Sequence, residues 1–166
     1  MEAWRPVWTG FRALFYASWF VALWGWLAYE AHLRDAPFGL GLPAWTAPLG
    51  VALMVAGGAL ALACVATFVI RGHGTPAPFD PPREFVASGP YARVRNPMYI
   101  GGFLVLAGYA LCAMSVAALV VAFTMLVAAH LFVILYEEPN LERRFGESYR
   151  EYRRTTPRWI PRWISR

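Results

Sequence analysis

Between Arg95 and Glu137 the chain carries no Asp, Glu, Lys or Arg, and the stretch from Trp45 to Ile70 is equally free of charge. Both runs exceed the roughly 18–20 apolar residues that cross the hydrocarbon core of a bilayer as a helix. Inside that core every backbone N–H and C=O must be satisfied within the protein, and a helix does this along its own length. The expected fold is therefore an all-α integral membrane protein. A composition of 58% hydrophobic and 15% charged residues over 166 positions leaves no room for a separate soluble domain. Four spans are expected, over about 11–33, 45–70, 97–114 and 116–136. The last two are joined at Ser115 by a tight hairpin. A proline-rich loop over 71–96 (Pro76, Pro78, Pro81, Pro82 and Pro90) and a charged, amphipathic helical segment over 137–166 complete the chain. Small residues at four-residue spacing in the second span, Ala52/Ala56 and Gly57/Ala61, predict close helix approach.

All 15 basic residues are arginines, and they border the apolar runs. Topology and anionic headgroups account for such a placement, so nucleic acid is not an expected partner. With four spans, Arg5, Arg12, Arg71, Arg83, Arg93, Arg95 and all the tail arginines lie on one side, and Arg34 alone on the other. That asymmetry puts both termini in the cytoplasm, in a multi-pass protein of the cell inner membrane. Residues 1–10 are Trp-rich (Trp4 and Trp8), and Trp159 and Trp163 read as interfacial anchors of the C-terminal end. The N-terminus lacks the pattern of a removable signal peptide. Cys64 and Cys112 fall within spans with no metal spacing and read as buried free thiols.

Two stretches concentrate polar chemistry at the edge of the apolar runs. The first, Ser88 to Gly102, reads SGPYARVRNPMYIGG: Gly89-Pro90 marks a turn, Arg93, Arg95 and Asn96 follow, and Pro97 suits the first turn of a helix. Tyr91 and Tyr99, taken singly, read as ordinary interfacial tyrosines. The second stretch begins at His130 and continues through Glu137-Glu138. On a regular helix His130 and Glu137 share a face, roughly 10 Å apart along the axis. An ionisable residue in a span is costly and marks a functional site by default. The hairpin brings Glu137 and Glu138 level with Arg95 and Asn96. Each group also has a plainer reading: His130 as an interhelical hydrogen-bonder, the glutamates as partners of Arg143 or Arg144, and the loop arginines as topology determinants.

GPYARVRNPMYIGG followed by YEEPNLERRFGESYREYRRTTPRWIPR resembles the isoprenylcysteine carboxyl methyltransferase and phospholipid methyltransferase superfamily, over about residues 85–161. The resemblance implies an integral membrane enzyme that uses S-adenosylmethionine and takes a lipidic or amphiphilic acceptor from the bilayer. The acceptor could be a prenylcysteine-like carboxylate, a phospholipid amine, or a small hydrophobic acid or thiol. Arg95, Asn96, Pro97 and Tyr99 match the family's Arg-(His/Asn)-Pro-x-x-Tyr-type element, and Gly101 and Gly102 stand where the family keeps small residues. His130, Glu137 and Glu138 match its His and Glu-Glu element, and Phe145, Gly146, Tyr149 and Tyr152 match its tail. The resemblance implies that Arg95, Asn96, Pro97, Tyr99, Gly101, Gly102, His130, Glu137, Glu138 and Tyr149 bind the cofactor, with Arg95, Tyr99 and Glu138 nearest the chemistry. No metal is implied. Asn96 stands where the prenylcysteine enzymes typically have His, which weakens that acceptor in particular.

An arginine can hold the cofactor's carboxylate bidentately, and a glutamate can accept from its ribose hydroxyls or ammonium. The rival reading is a non-enzymatic four-helix membrane bundle, including one that binds haem through histidine. His130 in one span and His32 at the far end of another make a poor pair of axial ligands, and His73 lies on the side opposite His32. Oligomeric state is open.

Overall fold

The apolar runs fold as long helices because nothing in them interrupts the i to i−4 ladder except at their ends. The structure, a computed structural model, describes residues 5–35, 41–72 and 86–161. The loop positions 73–85 with His73, the Pro37–Gly39 turn, and Trp4 and Trp163 lie outside the described residues. Among the described residues six α-helices follow in order: α1 Arg5–His32, α2 Ala47–Thr67, α3 Pro97–Cys112, α4 Val116–Phe132, α5 Glu138–Phe145 and α6 Glu147–Thr155. There is no strand among the described residues, so the all-α expectation holds.

Among the described residues two continuous helical runs, Ala44–Ile70 and Val116–Phe145, are long and apolar enough to cross a membrane, against the four spans expected. The other two fall short for different reasons. At 16 residues, α3 reaches only about 24 Å, less than the ~30 Å of hydrocarbon. Although α1 has 28 residues, it is interrupted by Arg12 and rich in Trp and Tyr, which favour the interface over the bilayer centre.

The described residues fall into two compact units, to which each long helix contributes. One comprises residues 17–35, 41–61 and 99–130. Its buried cluster is built largely from alanines: Ala28, Ala107, Ala110, Ala118, Ala122 and Ala129, with Leu106 and Met125. Small side chains let helices approach closely where burial from lipid supplies little driving force. The closest approach is glycine against glycine. A Cβ on Gly50 would stand 2.6 Å from the Gly108 carbonyl oxygen, and one on Gly57 would stand 2.6 Å from that of Gly101. The pairs run in opposite order along the two helices, so α2 and α3 are antiparallel and their backbones touch. The predicted stripe is thus half right. Gly57 and Ala61 face α3, but Ala52 and Ala56 are exposed on another face.

The hairpin between α3 and α4 turns within Ala113–Ser115, with Met114 in the left-handed region at φ 53°. Ser115 Oγ accepts from the Ala118 N–H at 2.9 Å and donates to Asp35 Oδ2, while Asp35 Oδ1 accepts from the Ala117 N–H at 3.0 Å. Asp35 is only 5% exposed. A carboxylate at the N-terminus of α4 meets both the orphan N–H groups and the positive end of the helix dipole.

The other unit comprises residues 5–16, 62–72, 86–98 and 131–161 and carries the polar stretches. In place of one amphipathic tail helix it has two, α5 and α6, separated by Gly146 at φ 56°. That backbone conformation is one only glycine adopts freely.

Candidate active site

The polar loop before α3 is anchored by its own turn. Gly89, at φ 60°, packs on Thr67 so closely that a Cβ would lie 2.8 Å from the Thr67 hydroxyl. The turn Gly89–Ala92 then drives Tyr91 inward, where it is 8% exposed and stands edge-on to Phe68 with ring centroids 5.0 Å apart. Its hydroxyl meets the Cys64 thiol, and its backbone carbonyl accepts the Tyr152 hydroxyl at 2.6 Å. Tyr91 is therefore a buried pin rather than the interfacial residue the sequence led us to expect. Cys64 is fully buried beside it as a free thiol.

Beyond this pin the chain runs through Val94 to Arg95 and Asn96, and Pro97 opens α3. The C-terminal segment after α6 lies against it. The Arg95 backbone N–H donates to the Pro157 carbonyl at 2.9 Å, and Asn96 Nδ2 donates to the Arg158 carbonyl at 3.2 Å.

Glu138 arrives by a different device. Pro139 has no N–H to offer the carbonyl four residues before it, and its ring would press on that carbonyl. The helix answers with a π-helical turn over Val133–Glu137, immediately ahead of α5. Such turns are rare and recur at functional sites. A 3.6-residue period does not carry through it, so the shared face predicted for His130 and Glu137 does not follow.

Glu138 is caught between two arginines. Arg158 donates from Nε to Oε1 at 2.7 Å and from Nη2 to Oε2 at 2.9 Å, a bidentate fork. Arg95 Nη1 is 2.9 Å from Oε1, with side chains 10% and 7% exposed for Arg95 and Glu138. Close as it is, this last contact is an ion pair without a well-aligned hydrogen bond. Arg95 Nε and Nη1 are both buried with no hydrogen-bond partner among the described residues. A buried donor on a charged group left unbonded costs about 1–3 kcal/mol or more.

Tyr149, 2% exposed, hydrogen-bonds Arg95. Burial pushes its hydroxyl up to about 12, with the Glu138 charge adding to the rise and Arg95 opposing it. Tyr152 is raised further, again chiefly by burial and next by Tyr149. Arg158 holds its proton more tightly than usual, first through its hydrogen bond to Glu138.

Of the residues the sequence singled out, Arg95, Asn96, Pro97, Glu137, Glu138 and Tyr149 fall in this unit. Arg95, Glu138 and Tyr149 meet directly, and the charge of Glu137 acts on Tyr149. Tyr99, Gly101, Gly102 and His130 fall in the other unit. There Tyr99 packs on the alanine cluster, and a Cβ on Gly101 would press on Gly57. A Cβ on Gly102 would make only ordinary contacts, at 3.6 Å, with Met125 and Phe20. Arg158 escaped the sequence reading. The signal was present in the repeated PRWIPRWI, but its tryptophans drew the attention as anchors. The tail pairs beyond it, such as Arg153–Glu142 at 2.6 Å and Arg154–Glu151 at 3.0 Å, are solvent-exposed and of small energetic weight.

No curated protein and no solved structure matches the chain. The family model for phospholipid methyltransferase matches residues 45–148, which take in α2, the Arg95–Asn96 loop, α3, α4 and Glu137-Glu138. With well over half of its length covered by that match, the chain belongs to the phospholipid methyltransferase family.

Proposed function

We propose that the protein is an integral membrane enzyme that transfers a methyl group from S-adenosylmethionine to a lipidic or amphiphilic acceptor. The observation that carries this reading is Arg95: a guanidinium nine-tenths buried, with two nitrogens that have no hydrogen-bond partner among the described residues, beside Asn96 and a tyrosine. A carboxylate is the group that such a cation satisfies best, and the methionine end of the cofactor presents one. The residues present therefore fit it. When bound, the cofactor supplies a methyl activated by a sulfonium.

Arg95 holds the anionic end. Glu137 accepts from the cofactor's ammonium or ribose hydroxyls, and Glu138 acts as the counter-ion that orients Arg95. Tyr149 braces the guanidinium through its hydrogen bond. The remaining help is alignment of acceptor, methyl and leaving group, since a displacement of this kind gains most from positioning. A base is required only for a protonated amine or thiol acceptor. Among acceptors, a phospholipid amine accords with the family and with Asn96 standing in place of His. Four spans, with both termini and Arg95 facing the cytoplasm across the inner membrane, accord with the arginine asymmetry.

The test is calorimetric titration of S-adenosylhomocysteine into the purified protein, in detergent and in lipid nanodiscs, with Arg95→Ala as control. Binding in the wild type that the variant loses is expected. Absence of binding to wild-type protein in both media would overturn the reading.

A further inference from the structure

The helical run Val116–Phe145 is longer than a span requires. Its 30 residues reach about 45 Å, enough to pass the ~30 Å of hydrocarbon and both headgroup layers. Its acidic and basic residues, Glu137, Glu138, Glu142, Arg143 and Arg144, all stand in the last nine positions. Just ahead of them Leu131, Phe132, Leu135 and Tyr136 are exposed, whereas Val133 and Glu138 are buried. The exposed surface thus passes from apolar side chains through a tyrosine to two exposed arginines. A bilayer passes from acyl chain to phosphate in the same order.

These two arginines differ from their neighbours in α6. Arg150, Arg153 and Arg154 are matched by Glu142, Glu147 and Glu151 in exposed ion pairs. Arg143 and Arg144 make no ion pair among the described residues. Arg144 lies over the Phe145 ring, 5.5 Å from its centroid, which steadies the guanidinium without offsetting its charge. From Glu138 onward the helix is regular, so Glu137 and Arg144 share a face, roughly 10 Å apart along the axis. Helical side chains lean back towards the N-terminus, so the Arg144 guanidinium is drawn closer to the carboxylate pair than its backbone is. We propose that Arg143 and Arg144 bind the phosphate of the methyl acceptor, a phospholipid whose acyl chains lie along Leu131, Phe132 and Leu135. Its amine, on a short arm from that phosphate, is then brought to the level of Glu137 and Glu138. This rests on the methyltransferase reading and narrows its acceptor, since neither a prenylcysteine nor a small acid or thiol carries a phosphate. A free phosphate in water gains nothing from the apolar surface that the arginines continue; a lipid does.

The first experiment needs no cofactor. Detergent-purified protein is titrated with phosphatidylethanolamine and the retained lipid is measured by native mass spectrometry, with diacylglycerol and inorganic phosphate as further arms. The variants are Arg143→Gln/Arg144→Gln and, as a control that removes the same charge from α6, Arg150→Gln/Arg154→Gln. An arginine near a phosphate surface contributes about fivefold in affinity, and two about thirtyfold. Arg143→Gln/Arg144→Gln is therefore expected to weaken phosphatidylethanolamine at least about tenfold, and the control, which loses only exposed and neutralised pairs, less than about threefold. Diacylglycerol, which has no phosphate, should bind all three proteins alike. If hydrogen exchange shows α5 loosened in the double variant, Arg143→Ala and Arg144→Ala carry the test singly, at about fivefold each. Wild-type retention of phosphatidylethanolamine without the two arginines overturns the proposal. An equal loss in the control does so too, because the effect is then one of net charge. Displacement of the lipid by millimolar inorganic phosphate does so as well, because the arginines then hold a free anion.

The second experiment is methyl transfer in nanodiscs as the fraction of phosphatidylethanolamine is varied. Arg143→Gln/Arg144→Gln should need at least about tenfold more acceptor for half-maximal rate, with kcat within about threefold and the affinity for S-adenosylhomocysteine unchanged. If wild-type protein transfers no methyl group but lipid binding behaves as stated, the methyltransferase reading falls and the phosphate site stands. If transfer proceeds and the variant saturates as wild type does, the site falls and the reading stands; the arginines are then only cations suited to the negative end of a helix dipole. Transfer confined to acceptors without a phosphate also overturns the proposal.

Discussion

Gly57 and Gly58 are neighbours on α2, and the same substitution at the two should act with opposite sign. A Cβ at Gly57 would stand 2.6 Å from the Gly101 carbonyl oxygen, 2.8 Å from Leu104 Cβ and 2.9 Å from the Val105 nitrogen. Two of these three atoms are backbone, so no flexible side-chain end can swing away. Reaching ordinary contact requires α2 and α3 to separate by nearly 1 Å, breaking the fit of a packed interior, at a cost of about 1–3 kcal/mol. Replacing a mid-helix glycine returns about 0.5–1 kcal/mol of backbone entropy, which is not enough to offset it. At Gly58 nothing lies within 4 Å of the added atom, so only the entropic gain remains. Gly57→Ala should therefore lower the melting temperature by about 2–8 °C in a chain of this size, and Gly58→Ala should leave it unchanged or raise it by up to about 4 °C. Thermal unfolding in one detergent, followed by circular dichroism for both variants and wild type, measures the difference. Equal shifts at the two positions would refute the backbone-to-backbone packing of α2 on α3.

Tyr152→Phe removes the donor to the Tyr91 carbonyl and should destabilise the loop by about 1–3 kcal/mol, seen as faster hydrogen exchange at Val94 to Asn96 with little change in α4. Asp35→Ala strips the start of α4 of its carboxylate and should cost about 2 kcal/mol of thermal stability, while Asp35→Asn should cost less. The Tyr149 hydroxyl, about 12 when folded against 10.0 for the unperturbed group, favours the folded state as long as it is protonated. Its contribution is complete below pH ~10 and is lost as the pH rises towards ~12, so stability should fall across that window, and less steeply in Tyr149→Phe.

The all-α character was legible because uncharged runs longer than a bilayer core admit almost no other backbone solution. The family was legible because the Arg-Asn-Pro and Glu-Glu elements stand in order around α3 and α4. What stayed hidden was direction. Ala52/Ala56 and Gly57/Ala61 have the same spacing, and spacing alone does not say which pair faces another helix. The face of α2 that does so runs through Gly50, Gly57 and Ala61. Tyr91 looked interfacial because its neighbours are polar, yet the positive φ at Gly89 turns it inwards. Arg158 was one arginine among many in the tail. Only the fold reveals that it makes a bidentate fork with Glu138, since that contact joins positions 20 residues apart across a glycine break.

The π-helical turn ahead of Glu138 makes the length of this stretch as informative as its composition. A π turn holds about one more residue than the α turn it replaces, so with any single position of Val133–Tyr136 deleted a regular helix would run into α5 with Glu138 near its present face. Were the same residues to stay in a regular α-helix instead, Glu138 would swing by about 100° about the axis and leave both arginines, although no residue of the ion-pair cluster had been changed. A chain of unchanged length that stayed α-helical here would keep every motif by which its family is known and lose the geometry those motifs serve.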